Sequence, residues 1–232
     1  MGRVLPVLFN TDMVQVILEG NKTATRRVIK YPPHPDMPDN HNYCKMPLWM
    51  RVGKDKYGFR TLHYMDVNQS RYFESLAPFD KDDILYVRET WCTGNDGETY
   101  FYRADKNTER ASKLIDYDDR RWRPSIHMPK AAARIWLKVT DVRVERLQEI
   151  RDFRAEGIRL SEGCEECLAV CGECNRDETP IGCDNEIKLF ADLWDSTLSR
   201  RDKGRYGWEV NPWVWVIEFE RCGKPTMGGK GQ

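Results

Sequence analysis

Five of the eight cysteines in this 232-residue chain fall within twenty residues, as Cys164, Cys167, Cys171, Cys174 and Cys183. Paired C-x2-C turns aim two thiolates at one tetrahedral zinc ion, and four thiolates complete a closed site with no open position for a catalytic water. A structural Zn2+ is therefore the expected cofactor. The gap between the two pairs is tight, so Cys183 stands as an alternative ligand to Cys171 or Cys174. The spacing departs from the common ferredoxin run, which argues against an iron–sulfur cluster. Reduced thiols in a loop are the plain alternative, but the stretch has few apolar residues and little to fold around except a metal.

A second group of residues carries charge and aromatic surface together. Arg120, Arg121, Arg123, Lys130, Arg134 and Lys138 lie in a stretch without a carboxylate, interleaved with Trp122, His127 and Trp136. Lys22, Arg26, Arg27 and Lys30 form a shorter run of the same kind. Cations supply salt-sensitive phosphate contacts, and aromatic faces or guanidinium planes stack unpaired bases. Taken singly, Trp122 and Trp136 read equally well as core residues. The cysteine-rich segment and the residues after it are acidic, from Glu162 to Asp195, and should repel phosphate or dock a protein partner instead. The balance of 37 Lys+Arg against 37 Asp+Glu, with a pI near 6.9, is thus a sum of separated blocks. Binding to nucleic acid would be local, oriented and sensitive to salt.

These residues need elements to hold them. Arg3 to Phe9 reads as a strand, and Asn10 or Thr11 caps a helix over Asp12 to Glu19 that Gly20 ends. Four prolines after Lys30 break regular structure, and residues 43–78 read as an elaborated hairpin, with strands Leu48–Val52 and Phe59–Met65. The segment 31–78 is therefore an expected insertion, too small for a core of its own. Strands follow over Ile84–Trp91 and Thr99–Arg103, then a long one over Ala133–Val144 with Ile135, Leu137, Val139 and Val142 facing inward. A short helix is expected near Asp152–Gly157. Beyond the insert at 161–185, an amphipathic helix runs from Asn185 to Leu198, with Ile187, Phe190, Leu193 and Trp194 on one face. Trp213–Phe219 closes the domain as a buried strand, and 223–232 is a flexible tail. The class is α+β, a small mixed β-barrel with short helices at its ends, in a single domain over 1–222. No apolar run reaches the roughly 18 residues of a membrane span, and no signal peptide is apparent, so a cytoplasmic location is expected.

Four blocks, in order, carry a family resemblance. Gly20-Asn21-Lys22-Thr23-Ala24-Thr25-Arg26-Arg27 resembles the G-x-K-T-x-T-x-R signature of ASCH domains, a branch of the PUA-like β-barrel superfamily. Asp82-Asp83-Ile84-Leu85-Tyr86-Val87-Arg88-Glu89-Thr90-Trp91 resembles the GD-x-L-x-V-R-E-T-W strand of the phage and prophage subgroup, with Asp82 where that subgroup has Gly. Trp122-Arg123-Pro124-Ser125-Ile126-His127-Met128-Pro129 and Asn211-Pro212-Trp213-Val214-Trp215-Val216 are similar to further blocks of the same subgroup. The resemblance spans residues 20–219.

It implies a PUA-like barrel with a cleft for RNA, single-stranded nucleic acid or a modified nucleoside. Arg26, Arg27, Arg88, Glu89, Trp91, Arg123, Ser125, His127 and Lys130 are the implied binding residues. Within the family some compact members are amidohydrolases that deacetylate N4-acetylcytidine with Lys, Thr and Glu, which maps onto Lys22, Thr25 and Glu156. Amide hydrolysis needs a nucleophile, a base and a group to position or protonate the amine. Thr25 would be the nucleophile, and a Lys serves as base only where burial or nearby cations favour its neutral form. On a regular strand residues 22 and 25 face opposite sides, so a shared cleft requires a bulge or turn. Arg88 and Glu89 also face opposite sides. One of them points inward, either to read a cytosine amino group or to pair within the fold. Two further roles stay open: a binding module without chemistry, and a phage accessory protein that docks a host protein through its acidic insert.

Overall fold

A computed structural model describes residues 2–30, 49–54, 56, 60–65, 72–94, 96–105, 121–158 and 184–225. The cysteine pairs, Cys183, Arg120 and the tail from 226 onward lie outside the described residues.

The elements are strand β1 (Val4–Leu8), helix α1 (Thr11–Leu18), β2 (Ala24–Val28), β3 (Trp49–Lys54), β4 (Arg60–Met65), β5 (Tyr72–Leu76), β6 (Ile84–Arg88), β7 (Trp91–Thr93), β8 (Tyr100–Tyr102) and β9 (Trp136–Arg146). Helix α2 (Asp184–Ser196), helix α3 (Arg200–Tyr206) and β10 (Trp213–Cys222) complete the chain. The class is mixed α+β. The main sheet has the order β1-β6-β9-β10-β2 and is itself mixed, because β1 runs parallel to β6 while β9 runs antiparallel to it. Among the described residues this order has two free ends, so the expected closed barrel is not seen. No helix among the described residues is long and apolar enough to cross a membrane.

The chain divides into two compact units. The first comprises 1–23, 81–140 and 218–232; the second comprises 24–80 and 141–217. In the first unit the Asn10 side chain accepts the Met13 N–H at 2.9 Å and starts α1, and Gly20 leaves it at φ +81°. The side-chain cap satisfies a donor that the helix cannot, and glycine enters the left-handed region at no Cβ cost. Asp82 sits at φ +69°, in the left-handed region that glycine enters freely and Asp tolerates. Its neighbour Asp83 is buried and takes the Arg3 backbone N–H at 2.8 Å and the Arg3 guanidinium besides.

The expected strand over 84–91 is two strands. β6 stops at Arg88, and Trp91 begins β7, which pairs with β8 in register Trp91↔Tyr102. The break falls where the Arg88 and Glu89 side chains turn to partners of their own. The expected strand over Ala133–Val144 follows a 3-10 turn at 130–132 and, as β9, runs from Trp136 to Arg146. Ile135, Leu137 and Val139 are buried as expected, and so is Trp136 on the opposite face; this middle strand is covered on both sides.

In the second unit β3, β4 and β5 form an antiparallel sheet of three strands, which extends the expected hairpin. Leu147, Ile150, Phe153 and Ile158 pack with Phe190 and Trp194 of α2 beneath Val214 and Val216. The amphipathic reading of α2 holds: Phe190 and Trp194 are buried, and Ile187 and Leu193 pack against that cluster. The expected helix near 152–157 is a single turn. The Ile158 N–H reaches the Phe153 carbonyl and the Gly157 N–H reaches that of Arg154, a Schellman closure around Gly157 at φ +83°. Glycine in that place stops the turn before a helix can propagate.

Candidate functional site

Two polar clusters stand out, one in each unit. The first unit places Glu89 at the end of β6 with 1% of its surface exposed. Both its oxygens accept from Arg134, from Nε at 2.9 Å and Nη2 at 3.0 Å, while Arg134 Nη1 donates to Asp105 at 2.5 Å. The Tyr102 ring lies 3.9 Å from the guanidinium carbon, and its hydroxyl donates to the Ala132 carbonyl at 2.6 Å. Burial pushes the Glu89 carboxyl above its usual range, and Arg134 pulls it back only in part. Burial likewise pushes the Tyr102 phenol up to about 12. Glu89 is thus committed within the fold, the structural alternative of the two sequence readings. Arg134 was legible only as one cation in a basic run.

Arg88 is also engaged. Its Nε donates to the Met128 carbonyl at 2.9 Å, its Nη2 donates to the Ile126 carbonyl, and the Glu89 N–H meets the Met128 sulfur at 3.2 Å. These bonds hold the 3-10 turn Ser125–His127, which leaves Ile126 and His127 exposed and Ser125 half-buried. Trp91 exchanges backbone bonds with Arg123, and the exposed Arg123 guanidinium lies 5.3 Å from the Trp91 ring. The Lys130 ammonium lies 5.8 Å from the ring of Tyr86 and 5.9 Å from that of Trp136. Neither cation pairs with a carboxylate among the described residues. Lys138, by contrast, is held by Asp82 at 3.1 Å. The basic run of the sequence therefore separates into paired cations, Arg134 and Lys138, and unpaired ones, Arg123 and Lys130. Trp136 itself belongs to a core cluster with Trp91, Met128 and Ala133.

Lys22, also in the first unit, is 4% exposed, with its ammonium 5.8 Å from the Phe9 ring. The second cluster belongs to the second unit. Thr25, Arg26 and Glu156 are all buried, on β2 and on the turn that follows β9. The Ala24 N–H donates to the Ala155 carbonyl at 2.8 Å and so fastens strand to turn. Arg26 Nη1 donates to Glu156 at 2.7 Å, and Nη2 donates to Glu145 at 3.4 Å. Arg26 Nε is buried and has no hydrogen-bond partner among the described residues. The Arg27 guanidinium is held below its usual value by burial, against the field of Glu156. Glu145, on the far side of the pair, carried no sequence signal as a partner.

Among the described residues no group of three or more His, Cys, Asp or Glu has the arrangement of a metal site, and the five clustered cysteines lie outside those residues. Comparison of the chain with family models, with curated proteins and with solved structures finds no match.

Proposed function

We propose that the protein binds single-stranded RNA or a modified nucleoside, the role that the ASCH resemblance implies. The observation that carries this reading is that Arg123 and Lys130 have no carboxylate partner among the described residues and lie 5.3 Å and 5.8 Å from the rings of Trp91 and Tyr86. A cation without a carboxylate partner keeps its charge available for phosphate, and the rings beneath it hold its stem in place. The test is fluorescence anisotropy with single-stranded RNA, single-stranded DNA and duplex oligonucleotides over a salt series. Arg123→Ala and Lys130→Ala should each weaken single-strand binding and lower the salt slope by about 1. A slope unchanged in both variants removes this surface from the reading, and preference for the duplex replaces it.

A second reading, hydrolysis of an N4-acyl cytidine, is favoured by one observation: Lys22 is only 4% exposed, rare for a lysine side chain. In this reading the Thr25 hydroxyl attacks the acetyl carbon, its proton passes through Lys22 to the departing N4 amino group of cytidine, and water then cleaves the acetyl–Thr25 ester to release acetate. Incubation with N4-acetylcytidine should release acetate, and Lys22→Ala should lower kcat by at least about a hundredfold. No release, or release that survives Lys22→Ala, ends this reading.

We further propose that the cysteine-rich insert holds one structural Zn2+ through four of Cys164, Cys167, Cys171, Cys174 and Cys183. Support comes from the ligand type and spacing in the sequence.

A further inference from the structure

The Arg26 cluster contains an unmade bond. Its guanidinium side chain is 5% exposed, and two of its three nitrogens are used, Nη1 on Glu156 and Nη2 on Glu145. Nε is buried with no acceptor among the described residues. Buried donors without partners are rare in native proteins, because the donor has lost water and gained nothing in return. Arg26 is also the residue that fixes Glu156, so the gap lies beside a carboxylate already held in one place.

The charges around it limit what can fill the gap. Arg26 meets Glu156 and Glu145; Arg143 donates to Glu145 through Nε and reaches Asp141 at 3.5 Å through Nη1; Arg27 lies in the field of Glu156. Among the described residues the guanidinium groups here are matched by the carboxylates of Glu156, Glu145 and Asp141. A phosphate or carboxylate ligand would add an unmatched charge in a desolvated place and would meet Glu156 and Glu145 as like charges. A neutral carbonyl oxygen adds none. It accepts from Nε, and the exocyclic N–H on the far side of the ring nitrogen, as in cytidine, is a donor suited to a carboxylate.

We propose that Arg26 is a specificity-determining residue, whose Nε–H takes the carbonyl oxygen of a neutral pyrimidine-type base edge and rejects anions. This deepens the nucleoside-binding reading and rests on it. The Nε–H is buried as the structure stands, so a ligand oxygen reaches it only when neighbouring atoms move aside.

The experiment follows the arginine Nε–H signals of the full chain by 1H–15N NMR, with Arg26 assigned by its loss in Arg26→Lys or Arg26→Gln. The titrants are cytidine, N4-acetylcytidine and inorganic phosphate. A nucleoside should move the Arg26 Nε–H signal, phosphate should leave it in place, and Arg26→Lys should weaken nucleoside binding by about tenfold or more. Phosphate moving the signal, a nucleoside binding without moving it, or no nucleoside binding at all overturns the proposal. Wild-type affinity in Arg26→Lys does so too. If the variant fails to fold, the wild-type titration decides alone. Oligonucleotide binding that still depends on Arg123 and Lys130 would show that this inference fell while the broader reading stood.

Discussion

Arg134→Ala is expected to destabilise the protein by about 3–5 kcal/mol, the cost of breaking a buried ion pair from one side. The reason is the partner left behind. Glu89 is 1% exposed, and both of its carboxylate oxygens are occupied by Arg134. Without the guanidinium Glu89 must either keep a buried charge with no counter-charge or take up a proton, and Asp105 loses its 2.5 Å partner as well. Such a loss is a large share of the roughly 5–15 kcal/mol that holds a domain folded. Glu89→Gln should cost less, because Arg134 keeps Asp105 and the face of Tyr102. Glu89→Gln combined with Arg134→Met should recover part of the loss, since no buried charge then remains. Urea unfolding of the single and double variants measures each step; if Arg134→Ala shifts the midpoint no further than a surface substitution does, the pair carries none of the stability assigned to it.

The loss should also depend on pH. The folded-state Glu89 carboxyl lies above its ordinary value of 4.5, chiefly through burial, so the native state holds its proton to higher pH than the unfolded chain does. Between the two values the native state binds more protons, and stability falls as pH rises. The contribution is fully present below the ordinary carboxylate range and lost as pH rises through the folded value. Arg134 restrains that upward shift by hydrogen bond and by charge. Removing it raises the carboxyl further, which widens the window. The deficit of Arg134→Ala should therefore be smallest near about pH 4 and grow towards about pH 8, and Glu89→Gln in the same chain should flatten it.

Such pairings explain why the elements were more legible than the sites. A cap three residues from its donor, as in Asn10 to Met13, is a local relation that sequence spacing records. The alternation of Ile135, Leu137 and Val139 is local too, as is the apolar face of α2. Arg3 with Asp83, Arg134 with Glu89 and Arg26 with Glu156 are joined across 80, 45 and 130 residues. No periodicity connects them, and a basic run looks alike whether its members are paired or not. Local signals were also misread where one residue overrode a pattern. Gly157 turned an expected helix into a single turn, and the expected strand over 84–91 breaks between Arg88 and Trp91, where the Arg88 and Glu89 side chains meet long-range partners. The burial of Lys22, Thr25 and Glu156 had no sequence signal except the family resemblance.

Phe190→Ala is expected to cost about 3–5 kcal/mol, comparable to Arg134→Ala but by a different route. Phe190 is 2% exposed on α2, with its ring edge-on to Phe153 at 5.7 Å and to Trp208 at 5.9 Å. Truncation empties the middle of the cluster that also holds Ile158, so contacts are lost on several sides and the gap can close only in part. Leu189, one residue earlier and 45% exposed, is the control: Leu189→Ala should stay within about 0.5 kcal/mol of wild type. The consequence reaches the second polar cluster, because Phe153 opens the turn that carries Glu156. Loss of its ring partner should loosen that turn and raise amide exchange at Gly157 and Ile158. The one zinc ion per chain proposed for the cysteine insert should be unaffected, since metal binding by thiolates draws its energy from the ligands themselves. Metal analysis of protein purified without chelator reads this directly. Zinc lost with Phe190 would tie the metal to the docking of α2, whereas zinc absent from wild type would leave the clustered cysteines without the role proposed for them.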